Sequence, residues 1–192
     1  MANLGGPTAV SLALVDHQRI LWAEAFGFLD KPRGLAPTTD TRFGLASGSK
    51  VFAAIATLIL VDRGLIGLDT PLVHYVPDFR MAQGQAYARI TPRLLLSHSS
   101  GLPGTDYRNG TTFFPVKGHA AQVMATLASQ RLKHAPGEMA VYCNDGFSLI
   151  EPLVAAVTGQ AYTDFIRQEI FRPLGMRHSR FGIETLAPDS YA

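Results

Sequence analysis

The spacing of apolar residues predicts two short strands at the start of the chain. Residues 8 to 14 (TAVSLAL) and 19 to 27 (RILWAEAFG) are rich in β-prone side chains, and VDHQ separates them, with Asp16 as a turn-forming residue. The next segment, LDKPRGLAPTTDT, has the Pro, Gly and Thr content of a loop. We therefore predict a β-hairpin followed by a loop.

Helical patterns dominate most of the remaining chain. From residue 51 to residue 60 apolar side chains occupy every helical face, which predicts a central helix buried all round, ended by Gly64 after Arg63. Thr91 and Pro92 have the N-cap and first-turn chemistry of a further helix. Other helical patterns fall near 118 to 131, 147 to 158 and 161 to 172. Two strands followed by helices predict an α+β chain.

Composition and charge narrow the class of protein. With 47% apolar and 17% charged residues, the 192 residues suit one globular domain. The net charge of +2 is spread without a run of Lys or Arg, so nucleic acid is not an expected partner. A single cysteine, Cys143, excludes an internal disulfide. The longest nearly apolar stretch is far below the ~20 residues of a spanning helix, and we expect no membrane span.

The stretch LASGSKVFAA places Ser47 and Lys50 one helical turn apart, just before the long apolar run. A lysine at i+3 lies beside the serine and can take its proton if burial lowers the lysine pKa from about 10.4. The alternative is that Ser47 is an N-cap and Lys50 a solvated side chain. A rigid helix behind the pair favours catalysis, because its positive end offers backbone N–H groups to an oxyanion.

The segment TRFGLASGSKVFAAIATLILVDRGLIGLDTPLVHYVPDF resembles the nucleophile region of the β-lactamase-related serine hydrolases. That family includes class C β-lactamases, penicillin-binding DD-peptidases and β-lactamase-like carboxylesterases. The resemblance continues through ITPRLLLSHSSGLPG, APGEMAVYCNDGFSLIEPLVAAVTG and YTDFIRQEIFRPLGMRHSRF, and so covers residues 8 to 181. It implies a β-lactamase/transpeptidase-like fold. The chain would be one incomplete domain, with a sheet part at 1 to 46 and a helical part at 47 to 192.

The resemblance also implies the residues of an active site. It makes Ser47 the acylated nucleophile and Lys50 its proton partner. Tyr142 becomes the general base of a second motif, and Asn144 becomes an amide that orients the substrate. The implied chemistry is acyl transfer through an acyl-enzyme, and it needs no metal or cofactor.

A second Tyr-x-Asn triplet competes for the second motif. YRN at 107 to 109 has the same form as YCN at 142 to 144, but only YCN follows APGE and precedes a helix, as in the family. We expect Tyr107 and Asn109 to be loop residues that bond their own backbone or line the cleft. Cys143 is expected to be a small buried residue and not a nucleophile.

Rival chemistries lack their motifs in this sequence. It has no G-x-S-x-G elbow, no H-E-x-x-H, no Cys/His cluster and no phosphate loop. The six histidines are scattered, and we expect surface or hydrogen-bonded roles for them: His17, His74, His98, His119, His134 and His178.

The sequence departs from the family at its end. A third motif, Lys-Thr-Gly or His-x-Gly, and the C-terminal strands are missing. We expect a fragment of a longer protein; the alternative is that a second chain supplies the rest of the domain. Either way, the hairpin edges would be open and the apolar helix partly uncovered. The chain as given carries no signal peptide and would be cytoplasmic, or periplasmic or secreted if one has been removed.

Two functions remain open at this point. The first is a serine hydrolase acting on small esters, amides or β-lactams, and we expect the carboxylesterase type; the second is a catalytically silent relative that only binds. Four intact site residues favour the first. The loop LPGTDYRNGTTFFPV has only Asp106 and Arg108 as charges, which suits an apolar acyl group and favours short-chain esters over β-lactams.

Overall fold

The computed structural model describes residues 9–17, 19–82, 84–104 and 118–182 of the chain. These residues form two compact units. The first contains the residues up to Ala46 together with Gly182, and the second is Ser47–Phe181. Every residue assigned above to the active site belongs to the second unit.

The first unit contains the predicted hairpin. Strand β1, Ala9–Asp16, pairs antiparallel with strand β2, Arg19–Gly27, in a two-stranded sheet. The predicted turn residue Asp16 instead pairs with Arg19 at the end of the ladder. The left-handed backbone conformation that reverses the chain falls one residue later, at His17, with a φ of 49°. The hairpin is confirmed, with β1 ending two residues later than predicted.

Neither face of the hairpin is covered within the described part of the chain. Successive residues of a strand point to opposite faces, and the neighbours Leu21 and Trp22 are both exposed. The exposed apolar side chains of the two strands are Val10, Leu12, Leu14, Val15, Ile20, Leu21, Trp22 and Phe26. In the described ranges the sheet has two strands, so each strand has one edge without a strand partner, as expected.

In the second unit, helix α1 runs from Ser49 to Asp62 and confirms the helix predicted there. Its buried residues recur at the spacing of a single helical face: Ala53, Ala56, Thr57 and Leu60. On its other sides, Val51 is 59% exposed and Leu58 is 50% exposed. The prediction of all-round burial is wrong, because the core of this unit contacts only one face of α1. The expectation of a partly uncovered helix is confirmed.

Helix α1 ends as its sequence predicted. Gly64 has a φ of 69°, and its N–H donates to the Val61 carbonyl at 2.9 Å. The next N–H, of Leu65, reaches back to the Leu60 carbonyl at 2.9 Å. This pair of bonds is a Schellman cap, which satisfies carbonyls that the helix leaves open and favours glycine because glycine has no Cβ.

The remaining helices surround a core built from short segments. They are α2 (Leu72–Tyr75), α3 (Pro92–Leu96), α4 (His119–Ala128), α5 (Asn144–Ser148), α6 (Ile150–Thr158) and α7 (Tyr162–Ile166), which continues as a π-helical turn at Arg167–Phe171. The predicted cap of α3 is confirmed, since Thr91 Oγ1 accepts the Leu94 N–H at 3.3 Å. Of these, α2 was not predicted, because four residues give too short a pattern.

The centre of the second unit is α6. Ile150, Leu153 and Val154 are fully buried, and α6 contacts α1, α2, α5 and α7. Burying one such side chain contributes roughly 1.5–3 kcal/mol to folding. The prediction that α1 is the central helix is therefore wrong. No helix in the described ranges is both long and apolar enough to cross a membrane.

Candidate active site

Ser47 and Lys50 are brought into contact at the start of α1. Ser47 lies in a single 3-10 turn, Ala46–Gly48, and Lys50 is the second residue of the helix. The Lys50 Nζ donates a hydrogen bond to Ser47 Oγ at 3.1 Å. The residue that flanks α1 is Gly48, with no side-chain cap, so the N-cap alternative for Ser47 is wrong.

The backbone turns sharply just before Ser47. Ala46 has a φ of 44°, in the left-handed region that costs a non-glycine residue roughly 1–2 kcal/mol. Ser47 itself is exposed. An exposed hydroxyl on a strained turn ahead of a rigid helix is available to a substrate, and strain of this kind concentrates at functional sites.

Tyr142 completes a three-residue cluster with this pair. It lies on an extended segment just before α5, and its hydroxyl shares a hydrogen bond with the Ser47 hydroxyl at 2.6 Å. The Lys50 Nζ lies 4.8 Å from the centre of the Tyr142 ring and 5.5 Å from that of Phe147, within the range of cation–π attraction. The structure therefore places Ser47, Lys50 and Tyr142 in mutual contact.

The cluster changes the acidity of the tyrosine. Hydrogen bonding from Lys50, and then from Ser47, lowers the pKa of Tyr142 below its ordinary value of about 10. The positive charge of Lys50 acts in the same direction. The phenolate, which can accept a proton from Ser47, is thus formed at a lower pH than that of an isolated tyrosine.

Two backbone segments meet to hold Tyr142 in place. The segment after α3 pairs with the segment before α5 through three backbone hydrogen bonds. The Lys133 N–H donates to the Gly101 carbonyl at 2.8 Å, and the Gly137 N–H donates to the Ser99 carbonyl at 2.8 Å. The Val141 N–H donates to the His98 carbonyl at 2.9 Å. The approach is closest at Gly101, where a Cβ would lie 2.3 Å from the His134 carbonyl oxygen. Glycine at this position lets the two segments pack together.

The two residues that follow Tyr142 differ in their surroundings. Cys143 is buried, as predicted, and burial raises the pKa of its thiol, which disfavours the reactive thiolate. Asn144 is the first residue of α5, and its Oδ1 atom is buried without a donor among the described residues. Buried polar atoms in proteins are usually hydrogen-bonded, so an unpaired buried oxygen is unusual. The role of Asn144 in orienting the substrate stays a prediction.

Some expectations cannot be compared with the structure. Tyr107 and Asn109, the competing triplet, lie outside the described residues, as does most of the loop on which the ester preference depends. Within the described ranges, no group of three or more His, Cys, Asp or Glu side chains could hold a metal ion.

Sequence reasoning missed His98, which the structure places against Tyr142. The two ring centres are 4.5 Å apart, and the His98 ring accepts a hydrogen bond from the Cys143 N–H. The only signal was its position in LLLSHSSG, next to the long loop, and its partner lies 45 residues further along the chain. The general expectation of a hydrogen-bonded histidine is confirmed at this position.

The chain is similar in sequence and in fold to known proteins. A family model described as Beta-lactamase matches residues 5–192. Penicillin-binding protein 4* of Bacillus subtilis (strain 168) is 30% identical over 176 residues, which are 88% of this chain and 37% of that protein. Among solved structures, D-amino acid amidase from Ochrobactrum anthropi SV3, complexed with D-phenylalanine, has a TM-score of 0.75 at 31% identity. That match covers 90% of this chain and 47% of the amidase.

A class C β-lactamase, solved in complex with cefoxitin, is another structural neighbour. It has a TM-score of 0.76 at 26% identity, over 96% of this chain and 48% of the enzyme. These neighbours share an α+β fold of the β-lactamase/transpeptidase type, of which a two-stranded antiparallel sheet followed by helices is the N-terminal portion. The chain spans about a third of the length of the curated relatives it matches.

Proposed function

The chain belongs to the β-lactamase family of serine hydrolases, and we propose that the protein containing it hydrolyses small acyl substrates through an acyl-enzyme on Ser47. The observation that carries the proposal is the hydrogen-bonded cluster of Ser47, Lys50 and Tyr142. A nucleophile, a group that can take its proton and a cation beside both are the parts that serine acyl transfer requires.

The directions of the hydrogen bonds divide the labour between Lys50 and Tyr142. We assign Lys50 as an ammonium group, which only donates, so that its hydrogen bond to Ser47 Oγ stabilises negative charge on that oxygen. The Tyr142 oxygen can accept the Ser47 proton across 2.6 Å. We therefore assign the immediate base to Tyr142 and the charge-stabilising role to Lys50.

Acylation then follows from these positions. Ser47 Oγ forms a bond to the substrate carbonyl carbon as its proton passes to the phenolate oxygen of Tyr142. The bond from that carbon to the leaving group breaks, and Tyr142 returns the proton to the leaving group. In the second half, water attacks the acyl carbon and passes one proton to the Tyr142 oxygen. The bond from that carbon to Ser47 Oγ then breaks, and Tyr142 returns the proton to Ser47 Oγ. No proton is gained or lost over the cycle.

Asn144 is proposed to orient the substrate from the adjacent start of α5. In the described structure its Oδ1 has no donor, so a bond gained when substrate binds would relieve a cost of roughly 1–3 kcal/mol. Asn144 lies two residues after Tyr142, so the same backbone segment carries both side chains. One segment would then position the group that binds the substrate and the base that activates Ser47.

We assign short-chain esters as the preferred substrate class. Ester hydrolysis asks mainly for the nucleophile, its proton partners and an apolar acyl pocket. The described surroundings of Lys50 include the aromatic rings of Tyr142 and Phe147. The sequence from 102 to 116, which we predict to be a loop on the cleft side, carries one acidic and one basic residue and so offers little to a charged acyl group.

One experiment tests both levels of the proposal. Specificity constants for p-nitrophenyl butyrate and nitrocefin are measured on the full-length protein, on Ser47→Ala and on a matched control, Ser49→Ala. We expect the ester value to exceed the nitrocefin value, Ser47→Ala to lose at least roughly 10³-fold, and Ser49→Ala to stay near wild type.

Undiminished hydrolysis by Ser47→Ala would overturn the serine hydrolase assignment. A nitrocefin value equal to or above the ester value would overturn only the ester preference and leave Ser47 as the nucleophile.

A further inference from the structure

His98 has a left-handed backbone conformation. Its φ is 58°, in a region where a non-glycine residue is uncommon and costs roughly 1–2 kcal/mol. It lies two residues after the end of α3, in the segment that pairs with the residues before α5. Such a strained position persists only when surrounding contacts compensate for it, and functional sites are where it concentrates.

The contacts of His98 enclose Tyr142 from both sides. Its carbonyl oxygen accepts the Val141 N–H at 2.9 Å, and its ring Nδ1 accepts the Cys143 N–H at 3.0 Å. One residue thus bonds the backbone on both sides of the tyrosine. The bond to the Cys143 N–H fixes the peptide plane between Tyr142 and Cys143, and the bond from the Val141 N–H holds the chain one peptide earlier.

The ring of His98 also supports the tyrosine ring. The His98 and Tyr142 ring centres lie 4.5 Å apart with 31° between their planes. The His98 ring also contacts the Phe147 ring, with 5.0 Å between the two ring centres. Tyr142 is 55% exposed, so burial in the core does not fix its side chain. A half-exposed side chain must lose rotamer freedom before it can keep a 2.6 Å bond to Ser47.

We propose that His98 is a positioning residue that holds the Tyr142 hydroxyl against Ser47, acting through the Cys143 N–H and through ring contact. This inference rests on the proposed function, in which Tyr142 is the base. General acid–base catalysis requires the base within hydrogen-bond reach of the proton that it takes, so a support that maintains this distance contributes to kcat more than to substrate binding.

The bond to Cys143 requires a neutral imidazole with its proton on Nε2, because Nδ1 accepts. The surroundings favour that state: burial lowers the pKa of His98, and the charge of Lys50 lowers it further. The ring therefore keeps its acceptor available at neutral pH.

Three substitutions separate the acceptor from the ring. His98→Asn retains an acceptor near the position of Nδ1 and tolerates a positive φ. His98→Phe retains a ring against Tyr142 but leaves the Cys143 N–H without its partner, and His98→Gln moves the acceptor away from that N–H. If His98→Phe fails to fold, the Asn and Gln variants still form a matched pair.

The measurement is kcat and KM for p-nitrophenyl butyrate on the full-length protein, in the wild-type and Tyr142→Phe backgrounds. We expect His98→Phe and His98→Gln to lower kcat roughly 10-fold or more with little change in KM, and His98→Asn to recover most of it. In the Tyr142→Phe background the three variants should be equal, because the group that His98 positions is gone.

Equal kcat values for wild type, His98→Gln and His98→Phe would overturn the inference, and so would losses that persist undiminished in the Tyr142→Phe background. Ser47→Ala, measured in parallel, distinguishes the two failures. Hydrolysis that does not depend on Ser47 contradicts the proposed function itself, whereas Ser47-dependent hydrolysis that ignores His98 contradicts only the positioning role.

Discussion

Two hydrogen bonds at one serine oxygen determine the chemistry available to this site. Lys50 donates to Ser47 Oγ at 3.1 Å, while the Tyr142 oxygen lies 2.6 Å away on a hydrogen bond whose proton either hydroxyl can supply. With Lys50 as an ammonium group, which only donates, the proton of Ser47 has the Tyr142 oxygen as its acceptor. On this basis we propose Tyr142 as the base and Lys50 as the group that lowers its pKa.

Removing the tyrosine hydroxyl should therefore slow the reaction selectively. Tyr142→Phe is expected to lower the rate of ester hydrolysis by roughly 10² or more, the usual size of a general acid–base contribution. Tyr107→Phe, from the competing triplet, is the matched control and should change the rate little. Steady-state kinetics on both variants checks the ranking, and the reverse order would mean that YRN, not YCN, is the second motif.

Lys50 should also be visible in the titration of Tyr142. Because Lys50 lowers the pKa of this tyrosine, Lys50→Met should raise it, so that the phenolate forms at higher pH than in wild type. The rising limb of kcat/KM against pH should report the lowered wild-type value. NMR of ring-labelled tyrosine follows the titration directly, with Tyr142→Phe to assign the signal.

Lys133→Met is the control for the loss of a positive charge, because Lys133 lies in the segment before α5 that pairs with Gly101. This substitution should leave the pKa of Tyr142 unchanged. A Tyr142 midpoint that is the same in wild type and Lys50→Met would contradict the tuning role of Lys50.

At the scale of elements, the contacts between two backbone segments matter more for the site than any single helix. The strand-like residues before α5 carry Tyr142, and the residues after α3 hold them through backbone hydrogen bonds. Gly101 allows this approach, because a side chain there would meet the His134 carbonyl. Gly64, by contrast, has a positive φ but open space around it.

These two glycines give a graded prediction. Gly64→Ala should lower the free energy of unfolding by about 1 kcal/mol through backbone strain alone. Gly101→Ala should lower it by more, since its φ of 79° adds strain to a 2.3 Å collision with the His134 oxygen. Gly44→Ala, with open space and an ordinary φ, is the control and should be close to neutral. Urea unfolding measures all three, and equal effects at Gly64 and Gly101 would contradict the close packing.

Local chemistry explains which elements the sequence predicted well. The Gly64 cap, the Thr91 cap and the hairpin depend on neighbouring residues, so their signals are contained in a few positions. The central position of α6 and the exposed side of α1 depend on which segments pack together, and an apolar pattern does not specify its partner. His98 was missed for the same reason, because its partner amide belongs to a distant segment.

At the scale of the whole molecule, much apolar surface is exposed in the chain as described. Both faces of the hairpin and one side of α1 carry large apolar side chains in contact with solvent. Patches of this kind are uncommon on soluble monomers and mark surfaces that another part of a protein covers. The fragment expectation, and the single domain that it implies, stay predictions, so the activity is best tested in the full-length protein.

The proposed chemistry requires Ser47 to be the nucleophile, and covalent labelling identifies the nucleophile. The full-length protein is incubated with a fluorophosphonate, and the adduct is located by peptide mass spectrometry. We expect one adduct, on Ser47, with slower labelling in Tyr142→Phe because the base that activates the hydroxyl is missing. An adduct on Ser49 or Ser97, or labelling that persists in Ser47→Ala, would contradict that expectation.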